Sequence, residues 1–131
     1  MPIIVRDCSG MSPEEIKAKV KELGRPSLLK FSSENCGPCE DLKEKLSQYS
    51  TDLEINVFEI CRTRTASYPS LWDEFDITAF PTVVLVDKDM KELQDKNGSQ
   101  GALTRIVGSN IKKFEELVKE HRHLFGQNTS Q

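Results

Sequence analysis

Two cysteines, Cys36 and Cys39, flank a Gly37-Pro38 pair in a chain of 131 residues. An apolar, strand-like run from Ser27 to Ser33 leads into them, and a helix-like segment follows. A Cys-x-x-Cys at such a junction reads as a redox dithiol. The spacing lets both sulfurs meet across one helical turn and close a small disulfide. The start of the helix directs unpaired backbone N–H groups and positive partial charge at the first sulfur. These favour Cys36 as the thiolate, the form that attacks disulfides. Pro38 suits the first helical turn, where its missing N–H has no partner to lose. Gly37 leaves the Cys36 sulfur open. The competing chemistry is half of a zinc site, which needs two further ligands at suitable spacing. His121 and His123 are two apart on the last predicted helix and point to different faces, so they read as solvated surface.

The elements that must hold this motif are marked by their punctuation. Ile3 to Arg6 reads as a short strand. Ser12-Pro13-Glu14-Glu15 opens a helix with a capping serine, a proline and first-turn acids. Ile16, Val20 and Leu23 recur at helical spacing, and Gly24 ends the segment. After the Ser27–Ser33 strand, a second helix runs from Gly37 to Tyr49 with Leu42, Leu46 and Tyr49 on its packing face. Ile55 to Cys61 is a third strand. Thr63 to Asp76 holds a loop and a short helix carrying Leu71, Trp72 and Phe75, with Trp72 a core residue. Thr82 to Val86 is a β-branched strand, followed by a turn at Asp87 and a polar hairpin loop from Asp95 to Gly101. Leu103 to Val107 returns as a strand. Ser109 or Asn110 caps a final helix whose buried side carries Ile111, Phe114, Val118 and Phe125. Helical crossovers at the beginning and a hairpin at the end predict a mixed central sheet with helices on both faces.

The length fits one domain that buries roughly 60–70% of its unfolded surface without a disulfide staple. The net charge of −3 and the lack of a basic cluster argue against nucleic acid and anionic lipid as partners. No apolar run approaches the ~20 residues that span a membrane. Residues 1–7 lack the apolar core of a signal peptide, which points to a reducing, cytoplasmic setting and to a catalytic cysteine pair. Of the other two cysteines, Cys8 follows the first strand and is expected to be accessible. Cys61 lies at the active-site end of the third strand if that strand runs parallel to the second; it reads as a buried, inert thiol, with a regulatory or third redox role as the alternative.

The ordered set Cys36-Gly37-Pro38-Cys39, Phe75-Asp76-Ile77-Thr78-Ala79-Phe80-Pro81-Thr82 and Val107-Gly108-Ser109 resembles the thioredoxin family over nearly the whole chain. The resemblance implies an α/β thioredoxin fold over residues 1–126: a central mixed five-stranded sheet flanked by about four helices. Residues 127–131 are then a disordered polar tail. It implies Cys36 as the attacking thiolate and Cys39 as the resolving cysteine. Pro81 is implied to be cis and to place the Phe80 backbone beside the dithiol, where it can pair with an extended substrate. Gly108 is implied to keep that groove shallow. Asn35, Gly37 and Pro38 complete the substrate-facing rim. On the residues alone, Pro81 also fits a trans proline at a strand start, and Gly108 a simple turn glycine.

Four departures from the family pattern stand out. Asn35 replaces the tryptophan usual before the first cysteine, Ser32 replaces another aromatic, and Glu44 replaces a kinking proline in the second helix. Lys30 stands where the family buries an aspartate, and Glu59 stands where a lysine often pairs with it. The charges are exchanged, which predicts a Lys30–Glu59 pair under the dithiol. The alternative is a lysine that snorkels to solvent. Glu59 is the better candidate to take or relay the Cys39 proton.

The resemblance thus implies a protein-disulfide reductase that needs no bound cofactor. It acts on protein disulfides and draws electrons from a thioredoxin reductase or another thiol donor. Glu34, Glu40, Asp41 and Glu44 around the motif oppose a thiolate and favour a reductant over an oxidant. A second possibility is a partner-binding module or assembly factor with an altered rim, supported by Asn35, Ser32 and the polar loops at 62–65 and 95–101. A third is a disulfide isomerase or glutathione-dependent oxidoreductase on the same fold, against which the Gly37-Pro38 insert argues.

Overall fold

The computed structural model describes residues 3–8, 10–62, 69–93 and 103–127. In chain order these form β1 (Ile3–Asp7), α1 (Pro13–Leu23), β2 (Ser27–Ser33), α2 (Gly37–Gln48), β3 (Leu53–Arg62), α3 (Pro69–Glu74), β4 (Thr82–Val86), β5 (Arg105–Val107) and α4 (Ile111–Glu120). A 3-10 turn (Arg122–Leu124) and a two-residue strand β6 (Gly126–Gln127) complete the described chain. The main sheet runs β1-β3-β2-β4-β5. β1 and β2 lie parallel to β3, while β4 is antiparallel to β2 and β5 to β4. This is the mixed five-stranded sheet with four helices expected from the sequence.

Local chemistry accounts for the helix boundaries. Ser12 and Glu15 form a reciprocal capping box at the start of α1, and Gly24 closes it in the left-handed conformation at φ 67°. α2 is capped by Cys36 itself, whose sulfur accepts from the Cys39 N–H at 3.2 Å. Asn110 caps α4 through the Lys113 N–H.

Two apolar layers enclose the sheet. On one face, Ile16 and Val20 of α1 and Leu71, Trp72 and Phe75 of α3 pack on Leu29, Phe31, Phe58, Ile60 and Val84. On the other, Leu42 and Leu46 of α2 and Phe114, Leu117 and Val118 of α4 pack on Leu28, Val57, Val83, Leu85 and Ile106. Burying Leu42 and Leu46 contributes about 1.5–3 kcal/mol each, and this anchors the helix that carries the dithiol. Strand side chains alternate between faces, so Lys30, Ser32, Glu59 and Cys61 all lie on the α2 side.

Several boundaries differ from the sequence expectation. β5 begins at Arg105 and not Leu103. The Leu103 N–H donates to Glu120 Oε1, and its carbonyl lies 2.8 Å from His121 Nε2, so the end of α4 takes up groups the sheet would have used. His121 is therefore buried and not a solvated surface residue, while His123 is exposed. α4 stops at Glu120, so Phe125 is buried from beyond the helix. Gln127, expected in a frayed tail, pairs with Leu53 and lengthens β3 at its start. Arg62, expected in a polar loop at 62–65, is the last residue of β3, and the rest of that loop and the one at 95–101 lie outside the described residues.

Candidate active site

Cys36 and Cys39 are joined as a disulfide, with Cα atoms 5.2 Å apart. β2 ends at Ser33, and a short turn delivers the chain to the start of α2. Asn35 occupies this turn at φ 54°, a left-handed conformation that asparagine tolerates better than most residues. A bulky residue at this φ is disfavoured, so Asn35 suits this turn as well as making its rim polar. Cys36 is partly exposed, Gly37 and Pro38 are exposed, and Cys39 is buried at 3%. The two sulfurs thus divide into an accessible one and a sheltered one. Among the described residues, no group of three or more His, Cys, Asp or Glu side chains is placed to hold a metal.

The Phe80–Pro81 peptide bond is cis. The Phe80 ring packs against Trp72, with centroids 6.2 Å apart, and Trp72 meets Phe31 edge-on at 5.2 Å. Trp72 is core, as its spacing predicts, and its contact with Phe80 joins α3 to the approach to β4, which no local pattern announces. The Gly108 N–H donates to the Pro81 carbonyl at 2.8 Å, tying the two segments together. Gly108 sits at φ 89°, where a side chain would be strained, although a Cβ there would meet nothing within 4 Å.

The exchanged ion pair is present. Lys30 and Glu59 are register partners on β2 and β3, and Lys30 Nζ donates to Glu59 Oε2 at 2.9 Å. Lys30 is 2% exposed and Glu59 18%. Ser32 Oγ also donates to Glu59 Oε2, at 3.3 Å. Ser32, expected as part of a polar rim, is instead buried at 3% and does not support an altered rim. Its position two residues after Lys30 on one strand is the signal that places it on the same face.

The two remaining cysteines differ from expectation in burial, while Cys61 does lie at the dithiol end of β3. Cys8, expected to be accessible, is 2% exposed within the layer formed with α1. Burial, with the nearby Asp7 charge, pushes its thiol up to about 11 from 9.0. A thiol raised on folding contributes stability that is complete below pH 9.0 and is lost as pH climbs through about 11. Cys61, expected to be buried, is partly exposed. It lines a surface cavity of about 760 Å³ together with Ser33, Glu34, Asn35, Cys36, Gly37 and Glu40. Its thiol is also raised, first by burial and then by the charges of Glu59, Glu34 and Asp7. In the oxidised protein, N-ethylmaleimide should label Cys61 at least about tenfold faster than Cys8, which should react only on unfolding. Equal labelling in the folded protein would contradict the burial of Cys8.

The Thioredoxin family model matches residues 8–122. The chain belongs to the thioredoxin family. Thioredoxin from Rickettsia felis is 30% identical over 94 residues, covering 68% of this chain and 89% of that protein. Thioredoxin H2 of Arabidopsis thaliana is 26% identical over 104 residues, covering 79% of this chain and 68% of that protein. Thioredoxin Y2, chloroplastic, from the same plant is 27% identical over 84 residues, 64% of this chain; the match spans only 50% of that relative's length. Among solved structures, Fasciola hepatica thioredoxin superposes with a TM-score of 0.62 at 21% identity, covering 92% of this chain and 99% of that one. Plasmodium falciparum thioredoxin gives 0.64 at 16% identity, covering 97% and 92%. At these identities the structural likeness speaks for the fold.

Proposed function

We propose that this chain is a protein-disulfide reductase working by thiol–disulfide exchange. The reduced Cys36 thiolate attacks a substrate disulfide, forming a Cys36–substrate bond and releasing one substrate thiolate. Cys39, deprotonated, then attacks the Cys36 sulfur. The second substrate thiolate leaves, the Cys36–Cys39 disulfide remains, and two electrons have passed to the substrate. The carrying observation is the joined pair at the start of α2, with Cys36 accessible and Cys39 sheltered.

The other site residues take roles in this scheme. Glu59, held by Lys30 and Ser32, takes or relays the Cys39 proton. Asn35, Gly37, Pro38, Phe80, Pro81 and Gly108 form the surface that receives an extended substrate. Glu34 and Glu40, beside Cys36 in the shared cavity, oppose its thiolate and bias the pair toward donating electrons. Electrons return from a thioredoxin reductase or another thiol donor. Two cysteines stay free, which suits a reducing compartment such as the cytoplasm. Among the described residues no helix is long and apolar enough to cross a membrane.

The test is reduction of insulin disulfides with dithiothreitol as electron source. Clear acceleration over dithiothreitol alone supports the proposal, and none opposes it. A second reading, a partner-binding module with secondary redox activity, draws on the exposed Asn35 in place of an aromatic rim. A folded protein that binds partners without accelerating insulin reduction would favour it.

A further inference from the structure

Three chain segments carry the proposed substrate surface: the first turn of α2, the Phe80–Pro81 approach to β4, and the Gly108–Ser109 turn between β5 and α4. The last two are joined by the backbone bond from Gly108 to Pro81, and Thr82 and Val107 are register partners just beyond it. They form one wall fixed to the sheet through β4 and β5. Between that wall and the first turns of α2 runs a side-chain bond from Ser109 Oγ to Asp41 Oδ2, at 2.5 Å. The same carboxylate oxygen pairs with Lys45 Nζ at 2.9 Å, one turn along α2. Asp41 is thus oriented from two sides.

We infer that Asp41 and Ser109 are positioning residues, a clasp that holds the dithiol end of α2 at a fixed distance from the Pro81–Gly108 wall and so sets how well a protein substrate fits. The inference rests on the reductase proposal. A protein disulfide must contact Cys36 and the Pro81–Gly108 wall together, so its binding depends on their separation. A small disulfide needs the Cys36 sulfur alone. The Asp41 carboxyl is held below its ordinary 3.8, first by the Ser109 hydrogen bond and then by Lys45, in keeping with a clasp made by the charged form. Asp41 is exposed and Ser109 only half-buried, so substitution at either leaves the apolar layers intact.

The test is steady-state insulin reduction by wild type, Ser109→Ala, Ser109→Thr, Asp41→Asn and the Ser109→Ala/Asp41→Asn double variant. Amide hydrogen exchange across residues 39–42 and 108–110 is followed alongside. Ser109→Ala, which changes no charge, should raise KM about threefold with little change in kcat. Ser109→Thr, which keeps the hydroxyl, should restore it. The double variant should cost no more than the worse single one, the mark of a shared interaction. Exchange across both segments should quicken in Ser109→Ala. An active wild type with unchanged KM and exchange in Ser109→Ala, or with single effects that multiply, would overturn the clasp and leave the reductase proposal standing. A folded wild type without insulin reduction would overturn that proposal and the clasp's role in substrate fit with it.

Discussion

Cys36→Ser should abolish disulfide reduction, by on the order of a thousandfold or more, whereas Cys39→Ser should stall the reaction after its first step. The asymmetry follows from burial. Cys36 caps α2 with its sulfur partly exposed, while Cys39 is 3% exposed beneath it. An incoming disulfide reaches the first sulfur only. With Cys39 replaced, no thiolate remains next to the mixed disulfide to expel the substrate, so covalent adducts should accumulate on Cys36. Mass spectrometry of Cys39→Ser after exposure to oxidised insulin checks this. Adducts mapped to Cys39 in the Cys36→Ser protein, with turnover retained, would reverse the assignment.

The second large effect concerns the exchanged ion pair. Glu59→Gln leaves the Lys30 ammonium, 2% exposed, without its carboxylate. Breaking a buried pair in this way costs about 3 kcal/mol, or roughly a 10 °C fall in melting temperature for a domain of this size. Lys30→Met should cost less, about 1–2 kcal/mol, because Glu59 is 18% exposed and keeps the Ser32 hydroxyl. Lys30→Glu combined with Glu59→Lys should recover part of the loss. Thermal melts measure this structural contribution. The proton-relay role is separate. Decay of a preformed Cys36 mixed disulfide should slow in Glu59→Gln at neutral pH. A melting temperature that falls while resolution is unchanged would leave Glu59 a structural partner only.

How much of this was legible in the sequence depended on the range of the interactions. α1, β2 and α2 carry local signals: Ser12-Pro13, Gly24, and the cysteines themselves at a helix start. Their boundaries lie within a residue of expectation. The Lys30–Glu59 pair was readable through the resemblance, which puts the family's buried acid and its lysine partner at these two positions, and the β2–β3 register places them side by side. The exposure of Cys8 and Cys61 was not readable, since exposure at a strand end depends on what crosses it, although parallel pairing of β2 and β3 does bring Cys61 to the dithiol end. Cys8 is covered in the α1 layer, whereas Cys61 opens on the cavity shared with Cys36. The shortened β5 and the buried His121 arise together, from side chains at the end of α4 bonding to Leu103. The Asp41–Ser109 bond joins residues 68 apart, with no local pattern to announce it.

A redox titration of the intact protein addresses the dithiol most directly. The chain is equilibrated in dithiothreitol buffers of graded potential, its free thiols are alkylated, and the labelled peptides are weighed. Cys36 and Cys39 should gain their labels together, in one two-electron transition with a midpoint at the reducing end of the range for such proteins. Labels that never appear under reducing buffers, that appear one at a time, or that appear at a strongly oxidising midpoint would contradict a reversible, electron-donating pair at the start of α2.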